Sequence, residues 1–151
     1  MRRNDREITD REIIDDIIRR CRVCRLAMCD QGRPYIVPLS FGYDGEAIYF
    51  HAAFEGRKID ILARNNRVCF EFDILNEVIT ADQACNWGMR YESVIGFGDI
   101  RFLDDPEEKR RALEWIMRQY GSHQHLFPDS ALTRTRLLRL QIDDIRGKIR
   151  P

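Results

Sequence analysis

The stretch Phe50-His51-Ala52-Ala53-Phe54-Glu55-Gly56-Arg57-Lys58 runs from the end of a predicted strand, through small residues and a glycine, into a predicted helix. The first N–H groups of a helix have no partner within it, and they attract anions. Arg57 and Lys58 stand at this helix start, where a guanidinium can bind phosphate through two hydrogen bonds and an ammonium adds a compact charge. The stretch therefore predicts a phosphate site. The common alternative is a solvated Arg-Lys pair on the surface of a helix.

Short apolar segments separated by turn sequences lie on both sides of this stretch. Asp30-Gln31-Gly32 and Asp44-Gly45 are typical of tight turns between antiparallel strands. Most connections are short enough to be hairpins, which favours an antiparallel barrel with helical additions over a doubly wound parallel sheet. The predicted strands span residues 23–29, 35–43, 47–51, 68–72, 77–80, 91–103 and 137–145.

Three helices are predicted around the strands. The first follows Thr9, whose spacing from Glu12 is that of a capping box, and its isoleucines recur on one face. The second spans residues 56–64. The third begins at Asp105-Pro106, a capping residue followed by proline at the first helical position, and it ends before Gly121.

Three residues restrict how the predicted strands sit in a barrel. Pro38 cannot donate a ladder hydrogen bond, so it predicts a sheet edge, a bulge or a place where a ligand replaces the neighbouring strand. Gly96 and Gly98 are spaced as in a strongly bent barrel strand.

Composition restricts the class of protein. The chain has 151 residues, of which 44% are apolar and 33% charged, and this predicts one globular domain over residues 1–151. The 25 basic and 25 acidic residues balance, which argues against a general nucleic-acid binder. No apolar run approaches the roughly 20 residues of a membrane helix, and no export signal is recognisable. We therefore expect a cytoplasmic protein with a small-molecule substrate, bound to neither nucleic acid nor membrane.

The cysteines and the remaining histidines give weaker indications. The five cysteines are an odd number and lie in apolar segments, so we expect them to be reduced. Cys21 and Cys24 have the spacing of a redox or metal pair, but no second pair follows at a zinc-like distance, and a structural role is favoured. His123 and His125 lack an obvious third ligand. No metal site is predicted.

Several of these segments occur in an order that carries a family resemblance. The segments are Tyr35-Ile36-Val37-Pro38-Leu39, Asp44-Gly45, Ile48-Tyr49-Phe50-His51, Gly56-Arg57-Lys58 and Asn65-Asn66-Arg67-Val68-Cys69-Phe70. Their order and spacing resemble the pyridoxamine 5'-phosphate oxidase-like flavin-binding split barrel. Cys24-Arg25-Leu26 and the segment 85–98 resemble its nitroimidazole-resistance branch, and the match runs from Arg6 to Lys148. The expected fold is mainly β, an antiparallel Greek-key split β-barrel with flanking helices.

This resemblance implies a homodimer that binds two flavins at the subunit interface. FMN is the expected cofactor, and FAD is the alternative. By position in the family pattern, Arg57 and Lys58 after Gly56 match the cations that bind the flavin phosphate. Phe50 and His51 match the strand end that lines the cofactor. The strand beside the isoalloxazine is matched by Val37, Pro38 and Leu39. The substrate-binding Arg and His pattern of true pyridoxamine-phosphate oxidases is not recognisable, so vitamin B6 oxidation is not expected.

Two further groups of residues are candidates for the site. His51 is the candidate catalytic residue, because an imidazole at a strand end can donate a hydrogen bond or transfer a proton near neutral pH. The alternative, weighed equally, is that His51 has only a structural role. Trp87 and Arg90, with Tyr91, are candidates for covering a flavin bound by the partner subunit, and packing in a dimer interface would select the same residue types.

The function expected from these observations is a flavin-dependent oxidoreductase that reduces small electron-poor substrates. A flavin-binding carrier or sensor without turnover is one alternative. The others are a pyridoxamine-phosphate-oxidase-like protein of different specificity and a non-flavin enzyme on the same barrel, because a fold does not fix a function.

Overall fold

A computed structural model of the chain describes residues 4–122 and 127–151. Within these ranges the chain forms eight strands, four α-helices and two short 3-10 helices, at Asn4–Arg6 and Ala84–Asn86. The strands are β1 (Glu7–Ile8), β2 (Cys24–Asp30), β3 (Arg33–Leu39), β4 (Gly42–Tyr43), β5 (Ala47–Ala52), β6 (Arg67–Ile79), β7 (Gly88–Leu103) and β8 (Arg136–Arg150). The helices are α1 (Arg11–Arg20), α2 (Arg57–Arg64), α3 (Pro106–Gln119) and α4 (Asp129–Arg134).

The strands form one antiparallel sheet in the order β3-β2-β6-β7-β8-β5-β4, with β1 paired to β8. Strands that are distant in sequence become neighbours at β2–β6 and β5–β8, and this order is that of a split β-barrel. The prediction of a mainly β, antiparallel fold is confirmed.

The sheet encloses the larger of two apolar cores. Phe41, Phe50, Phe70 and Phe72 lie in it with no exposed surface, and the isoleucines on one face of α1 close one side. The smaller core lies on the other side of β5, where Ala47 and Tyr49 pack against α3. Strand β5 therefore carries apolar residues on both faces, as is usual for a strand covered on both sides.

The glycines of β7 explain how this long strand bends. A Cβ at Gly98 would lie 2.0 Å from the Gln141 carbonyl oxygen, and one at Gly96 would lie 2.3 Å from the Phe70 ring. The register of β7 against β8 shifts between Phe97 and Gly98. Backbone approaches closer than any Cβ permits are what a strongly bent strand needs, and the prediction from the glycine spacing is confirmed.

Helix α1 starts one residue later than predicted. Asp10 is its N-cap and accepts a hydrogen bond from the Glu12 N–H at 2.9 Å, so the capping box from Thr9 was wrong. Two adjacent candidates compete for this position, and the carboxylate of Asp10 reaches the second N–H of the helix. The third helix begins as predicted, with the Asp105 carboxylate accepting from the Glu108 N–H at 2.9 Å.

Several strand boundaries also differ from the prediction. The segment 35–43 forms two strands, since β3 ends at Leu39 and β4 contains only two residues. The predicted strands 68–72 and 77–80 belong to one strand, β6, which continues through a bulge between Leu75 and Glu77. Pro38 lies on β3, an end strand of the sheet, which confirms the edge expectation.

Helix α4 precedes β8 and was not predicted. His123 and His125 lie outside the described residues. Among the helices that the structure describes, none has the length and apolar character to cross a membrane.

Candidate cofactor site

A cavity of about 380 Å³ lies between the end strand β3 and the start of helix α2. Its volume falls within the roughly 300–1,000 Å³ that small-molecule sites occupy. Three segments contribute to it: β3, the end of β5 with the following loop, and the first turn of α2. The lining residues are Tyr35, Val37, Pro38, Leu39, Ala52, Ala53, Glu55, Gly56, Arg57, Lys58 and Ile59.

The alternation of β3 determines which of its side chains reach the cavity. Tyr35, Val37 and Leu39 are partly buried and pack against the larger core, whereas Ile36 between them is 58% exposed on the opposite side. Successive side chains of a strand point to opposite faces, so Tyr35, Val37 and Leu39 supply most of the apolar wall, and Pro38, which alternates with them, also lines the cavity.

The end of β5 forms the second wall and leaves room for a ligand. Phe50 points into the larger core without exposed surface, and Ala52, two residues on, lies on the same side and lines the cavity. Ala53 follows it. A methyl group occupies much less volume than the phenyl ring of Phe50, so the small residues open the space that the barrel core would otherwise fill.

Gly56 is the N-cap of α2 and adopts a φ of 129°. This conformation is strained for any residue with a Cβ, which accounts for glycine at this position. The Gly56 carbonyl accepts hydrogen bonds from the N–H groups of Ile59 at 2.8 Å and Asp60 at 3.1 Å. The N–H groups of Arg57 and Lys58 precede these donors and have no partner within the helix. They are the anion-binding groups that the sequence predicts.

The two cations of this turn have no carboxylate partner. Among residues 4–122 and 127–151, neither Arg57 nor Lys58 forms an ion pair with a carboxylate. Burial lowers the pKa of the Lys58 ammonium, which is about half-buried. The positive end of the helix dipole also disfavours cations in a first turn. This local arrangement is unfavourable unless an anion compensates the two positive charges.

Contacts at the other end of α2 hold the helix in place. Arg64 donates to Asp30 at 2.9 Å, and the Asn65 side-chain amide donates to the Cys29 carbonyl at 3.1 Å. Ile61 and Leu62 are buried beneath the helix. These contacts tie α2 to the end of β2, the neighbour of β3, so the cations and the apolar wall keep a fixed separation.

The structure brings six of the predicted cofactor residues to this one cavity. These residues are Val37, Pro38, Leu39, Gly56, Arg57 and Lys58. Sequence reasoning missed Tyr35, Ala52, Ala53, Glu55 and Ile59 as lining residues. Tyr35 could have been found, since it alternates with Val37 and Leu39 on the same strand face. The assignment of all of these residues to a cofactor stays a prediction.

Phe50 and His51 do not line this cavity within the chain. Phe50 is fully buried in the larger core. His51 is exposed and has the same strand parity as Ala47 and Tyr49, which face the smaller core and α3, so its ring lies on the opposite side of β5 from Ala52. His51 therefore does not line the cavity of its own chain, because adjacent side chains of a strand point to opposite faces and Ala52 takes the cavity side. Its role toward a cofactor stays a prediction.

Trp87 and Arg90 also lie away from the cavity. They stand at the end of the β6–β7 hairpin, where Trp87 is 54% exposed and its indole N–H donates to the Ala81 carbonyl at 2.7 Å. Arg90 pairs with Glu77 at 3.2 Å. A contact with a cofactor would require a second copy of the chain, and both residues were expected to cover a flavin bound by the partner subunit.

Cys21 and Cys24 are free and buried. Burial raises the pKa of the Cys21 thiol to about 11 and also raises that of Cys24. A reactive or metal-binding cysteine requires the thiolate, and these environments keep both thiols protonated at neutral pH. Among the described residues, no three His, Cys, Asp or Glu side chains are grouped as metal ligands would be.

The barrel and its cavity define the chain as a β-barrel protein with a candidate small-molecule site, and comparison with known proteins agrees with this class. The chain belongs to the pyridoxamine 5'-phosphate oxidase family, whose model matches residues 10–149. A solved structure of a candidate 5-nitroimidazole antibiotic resistance protein from Bacteroides thetaiotaomicron is 37% identical, with a TM-score of 0.86 over 95% of this chain and 86% of that one. The predicted resemblance to the family and its nitroimidazole-resistance branch is confirmed.

More distant structures share the fold. The FAD and heme binding protein from Mycobacterium smegmatis is 23% identical, with a TM-score of 0.86 over 95% of this chain and 73% of that one. The flavocytochrome Anf3 from Azotobacter vinelandii is 19% identical, with a TM-score of 0.85 over all of this chain and 72% of that one. At these identities the likeness concerns the barrel alone. A comparison with curated proteins found no match.

Proposed function

We propose that the chain binds FMN in the cavity between β3 and α2 and uses it to reduce small electron-poor substrates. The observation that carries the proposal is the first turn of α2, where Arg57 and Lys58 line a cavity without a carboxylate partner among the described residues. A phosphate satisfies the free N–H groups, both side chains and the helix dipole together.

The remaining lining residues suit the other part of a flavin. Val37, Pro38 and Leu39 present apolar surface on β3, and Ala52 faces it from β5. Binding sites for planar cofactors combine such apolar walls with a few placed polar groups. The residues present therefore fit a phosphorylated flavin, with a charged end at α2 and an apolar end along β3.

A bound flavin would supply the electron transfer, and the protein would supply position, electrostatics and exclusion of water. Arg57 and Lys58 bind the phosphate, and β3 holds the apolar part of the ligand away from solvent. The proposed substrate class follows from the nitroimidazole-resistance relative, which is 37% identical over most of both chains.

The visible absorption spectrum of the purified protein tests the proposal. A flavin spectrum that survives gel filtration supports it, and chromatography of the released cofactor separates FMN from FAD. A colourless protein that gains no flavin spectrum after incubation with either cofactor would contradict it.

A flavin carrier or sensor without turnover is the second candidate. It is favoured by the position of His51, since the histidine singled out as an acid or base does not line the cavity of its own chain. Anaerobic addition of NADH or NADPH distinguishes the candidates. Bleaching of the flavin, followed by recovery on addition of a nitroimidazole, supports the reductase.

We also propose that the protein acts as a homodimer. A row of apolar side chains crosses the outer face of four adjacent strands, and we call it the outer apolar row. It contains Ile36 on β3, Ala27 on β2, Cys69 on β6 and Phe97 on β7, which are consecutive partners in the sheet register. Ile36 is 58% and Phe97 42% exposed, an apolar surface of the kind that marks an interface.

The outer apolar row adjoins the cavity. It begins at Ile36 on the end strand β3, whose opposite face carries Tyr35, Val37 and Leu39 into the cavity. A second copy that covers this row would therefore lie beside the open edge of the site. This geometry supports a cofactor bound at the interface of the dimer.

A further inference from the structure

A second cavity, of about 480 Å³, lies outside the barrel between α3 and the outer face of β5, β8 and β7. It shares no lining residue with the candidate cofactor site. We call it the arginine cavity, because three of its eight lining residues are arginines. The lining residues are Asp44, Tyr49, Arg101, Leu103, Glu108, Arg111, Trp115 and Arg139.

The floor of the arginine cavity is one row of the sheet. Tyr49 on β5 pairs with Arg139 on β8, and Arg139 pairs with Arg101 on β7, so the three side chains stand side by side on one face. Two cations directly opposite each other in neighbouring strands destabilise a sheet unless other charges compensate.

The wall of the cavity is one face of α3. Glu108, Arg111 and Trp115 are separated by three and four positions, the spacing that places side chains on the same side of a helix. Glu108 accepts two hydrogen bonds from Arg101, at 2.6 and 3.0 Å, which join the wall to the floor.

The carboxylates of the cavity are engaged elsewhere. One oxygen of Asp44 accepts from the N–H groups of Glu46 and Ala47, and the other accepts from the Tyr49 hydroxyl at 2.6 Å. Glu108 is held by Arg101, and its pKa is lowered chiefly by those hydrogen bonds and to a smaller extent by the charges of Arg111 and Arg139. Both carboxylates are therefore already hydrogen-bonded to other groups of the chain.

Within the part of the chain that the structure describes, two guanidinium groups of the cavity pair with no carboxylate. Arg139 donates to the neutral side chain of Gln141 at 2.6 Å. Arg111 has no ion pair or hydrogen bond from its side chain to any residue that the structure describes. The three arginines of the cavity outnumber its two acids, and an anion there would compensate the repulsion along the floor.

The cavity also has an apolar side. Leu103 is almost completely buried at its base, and the partly buried Trp115 ring lies on the helix wall. The guanidinium of Arg118 lies 4.9 Å from the centre of the Trp115 ring, and Arg118 does not line this cavity. An aromatic ring beside guanidinium groups is a surface that a flat organic group with an anionic end can use.

We propose that the arginine cavity binds a small organic anion, a monoester of phosphate with a ring or short apolar group. Arg111 and Arg139 bind the phosphate, and Trp115 and Leu103 contact the organic part. This site is separate from the proposed flavin site and does not depend on it.

Calorimetric titration of the purified protein, with any cofactor that it carries, tests the proposal. Phenyl phosphate is the probe, and phenol is the matched probe without the anion. The variants are Arg111→Gln and Arg139→Gln. Arg118→Gln, on the same helix but outside the cavity, is the control, and thermal unfolding verifies that each variant is folded.

We expect saturable binding of phenyl phosphate and no measurable binding of phenol. Each cavity variant should weaken the affinity about tenfold to a hundredfold, the effect of one lost hydrogen bond to a charged group. The control variant should change the affinity by less than about threefold. Higher ionic strength should weaken binding, because the site is partly open to solvent.

Two outcomes would overturn the proposal. One is a Kd for phenyl phosphate weaker than about 10 mM in the parent protein, which would show that the arginines are only a solvated surface. The other is an equal loss of affinity in Arg118→Gln and the two cavity variants, which would show general attraction of anions to a basic surface.

Discussion

The Arg57 guanidinium lies 4.6 Å from the centre of the Tyr35 ring. This contact joins the first residue of α2 to the end strand β3, the two sides of the candidate cofactor site. A cation over an aromatic face contributes roughly 0.5–1 kcal/mol at an exposed site. It orients Arg57 but leaves its hydrogen-bond donors available for an anion, which a carboxylate partner would not do.

The first prediction concerns these cations. Replacing Arg57 and Lys58 together with alanine should abolish flavin retention and preserve the fold, because Arg57 is exposed, Lys58 is only half-buried and neither belongs to the apolar core. The loss of one charge-assisted contact to a phosphate costs about 1.5–3 kcal/mol, so the double variant should bind at least a hundredfold more weakly. Fluorescence titration with FMN measures the affinity.

Arg64→Ala is the control for this variant. It removes a cation from the last turn of the same helix, where the side chain donates to Asp30 at 2.9 Å. We expect its FMN affinity to stay within about threefold of the parent value, because the Asn65 side chain and the buried Ile61 and Leu62 still hold the helix in place. Unchanged FMN affinity in the Arg57, Lys58 double variant would show that the phosphate lies elsewhere.

The residues of the phosphate site were predictable because they are consecutive in sequence, and because a glycine followed by two cations indicates an anion site without reference to any distant residue. Gly56, Arg57 and Lys58 identify a helix start with free donors, and the alternation of β3 identifies the strand face opposite. The cavity itself was not predictable from local pattern, since it depends on β3 and β5 meeting across the split of the barrel.

The misplaced residues show what local pattern cannot supply. His51 was expected to face the cofactor because its strand appeared to end there, but β5 continues to Ala52 and the ring lies on the other face. Adjacent side chains of a strand point to opposite faces, so Ala52 and not His51 lies on the cavity side. Likewise, Arg101 and Arg139 are far apart in sequence, and only the pairing of β7 with β8 makes them neighbours.

The second prediction concerns the homodimer. Phe97→Glu places a charge in the outer apolar row, and light scattering at micromolar concentration should show the parent as a dimer and this variant shifted toward monomer. A buried unpaired charge costs several kcal/mol, enough to dissociate a standard interface. Ile13→Glu, at an exposed apolar position on α1, is the control and should remain dimeric. A monomeric parent that retains flavin would refute the homodimer.

The third prediction concerns the cysteine pair. Cys21→Ser with Cys24→Ser should leave flavin content and reductase rate per flavin nearly unchanged, because both thiols are buried and protonated. The variant should unfold at lower temperature, since a hydroxyl replaces a thiol in an apolar core at a cost of about 1–3 kcal/mol. Zinc or iron in the parent that is lost from the variant, measured by elemental analysis, would reveal a metal role.

The fourth prediction concerns stability at low pH. The Glu92 carboxylate accepts hydrogen bonds from Arg20 of α1 and from Asn76, and the bond from Arg20 is the main reason that its pKa is lowered. A carboxyl whose pKa is lower in the folded state stabilises the fold above its unfolded pKa, about 4.3, and loses that contribution as the pH falls through its folded value.

Glu92→Gln should therefore lower the free energy of unfolding at neutral pH, by about 0.5–1 kcal/mol for this partly exposed pair. The difference from the parent should shrink as the pH falls below about 4, because the parent carboxyl then becomes protonated. Urea unfolding at neutral and acidic pH measures both values. A difference that stays constant with pH would show that Glu92 contributes through packing and not through its charge.

The last prediction concerns His51. Its ring is exposed on the side of β5 opposite the cavity of its own chain, so a role in turnover would have to be exerted in the site of a second copy. If it acts there as an acid or base, His51→Ala should lower the rate per flavin about a hundredfold or more, retain flavin, and flatten the rate profile between about pH 5 and 8.

Mixing this variant with the Arg57, Lys58 double variant tests the arrangement directly. A mixed dimer has one site with both the cations of one chain and the histidine of the other, and we expect activity to return on mixing. Loss of rate without return on mixing would place the action of His51 within its own chain, and an unchanged rate profile would make it a structural residue.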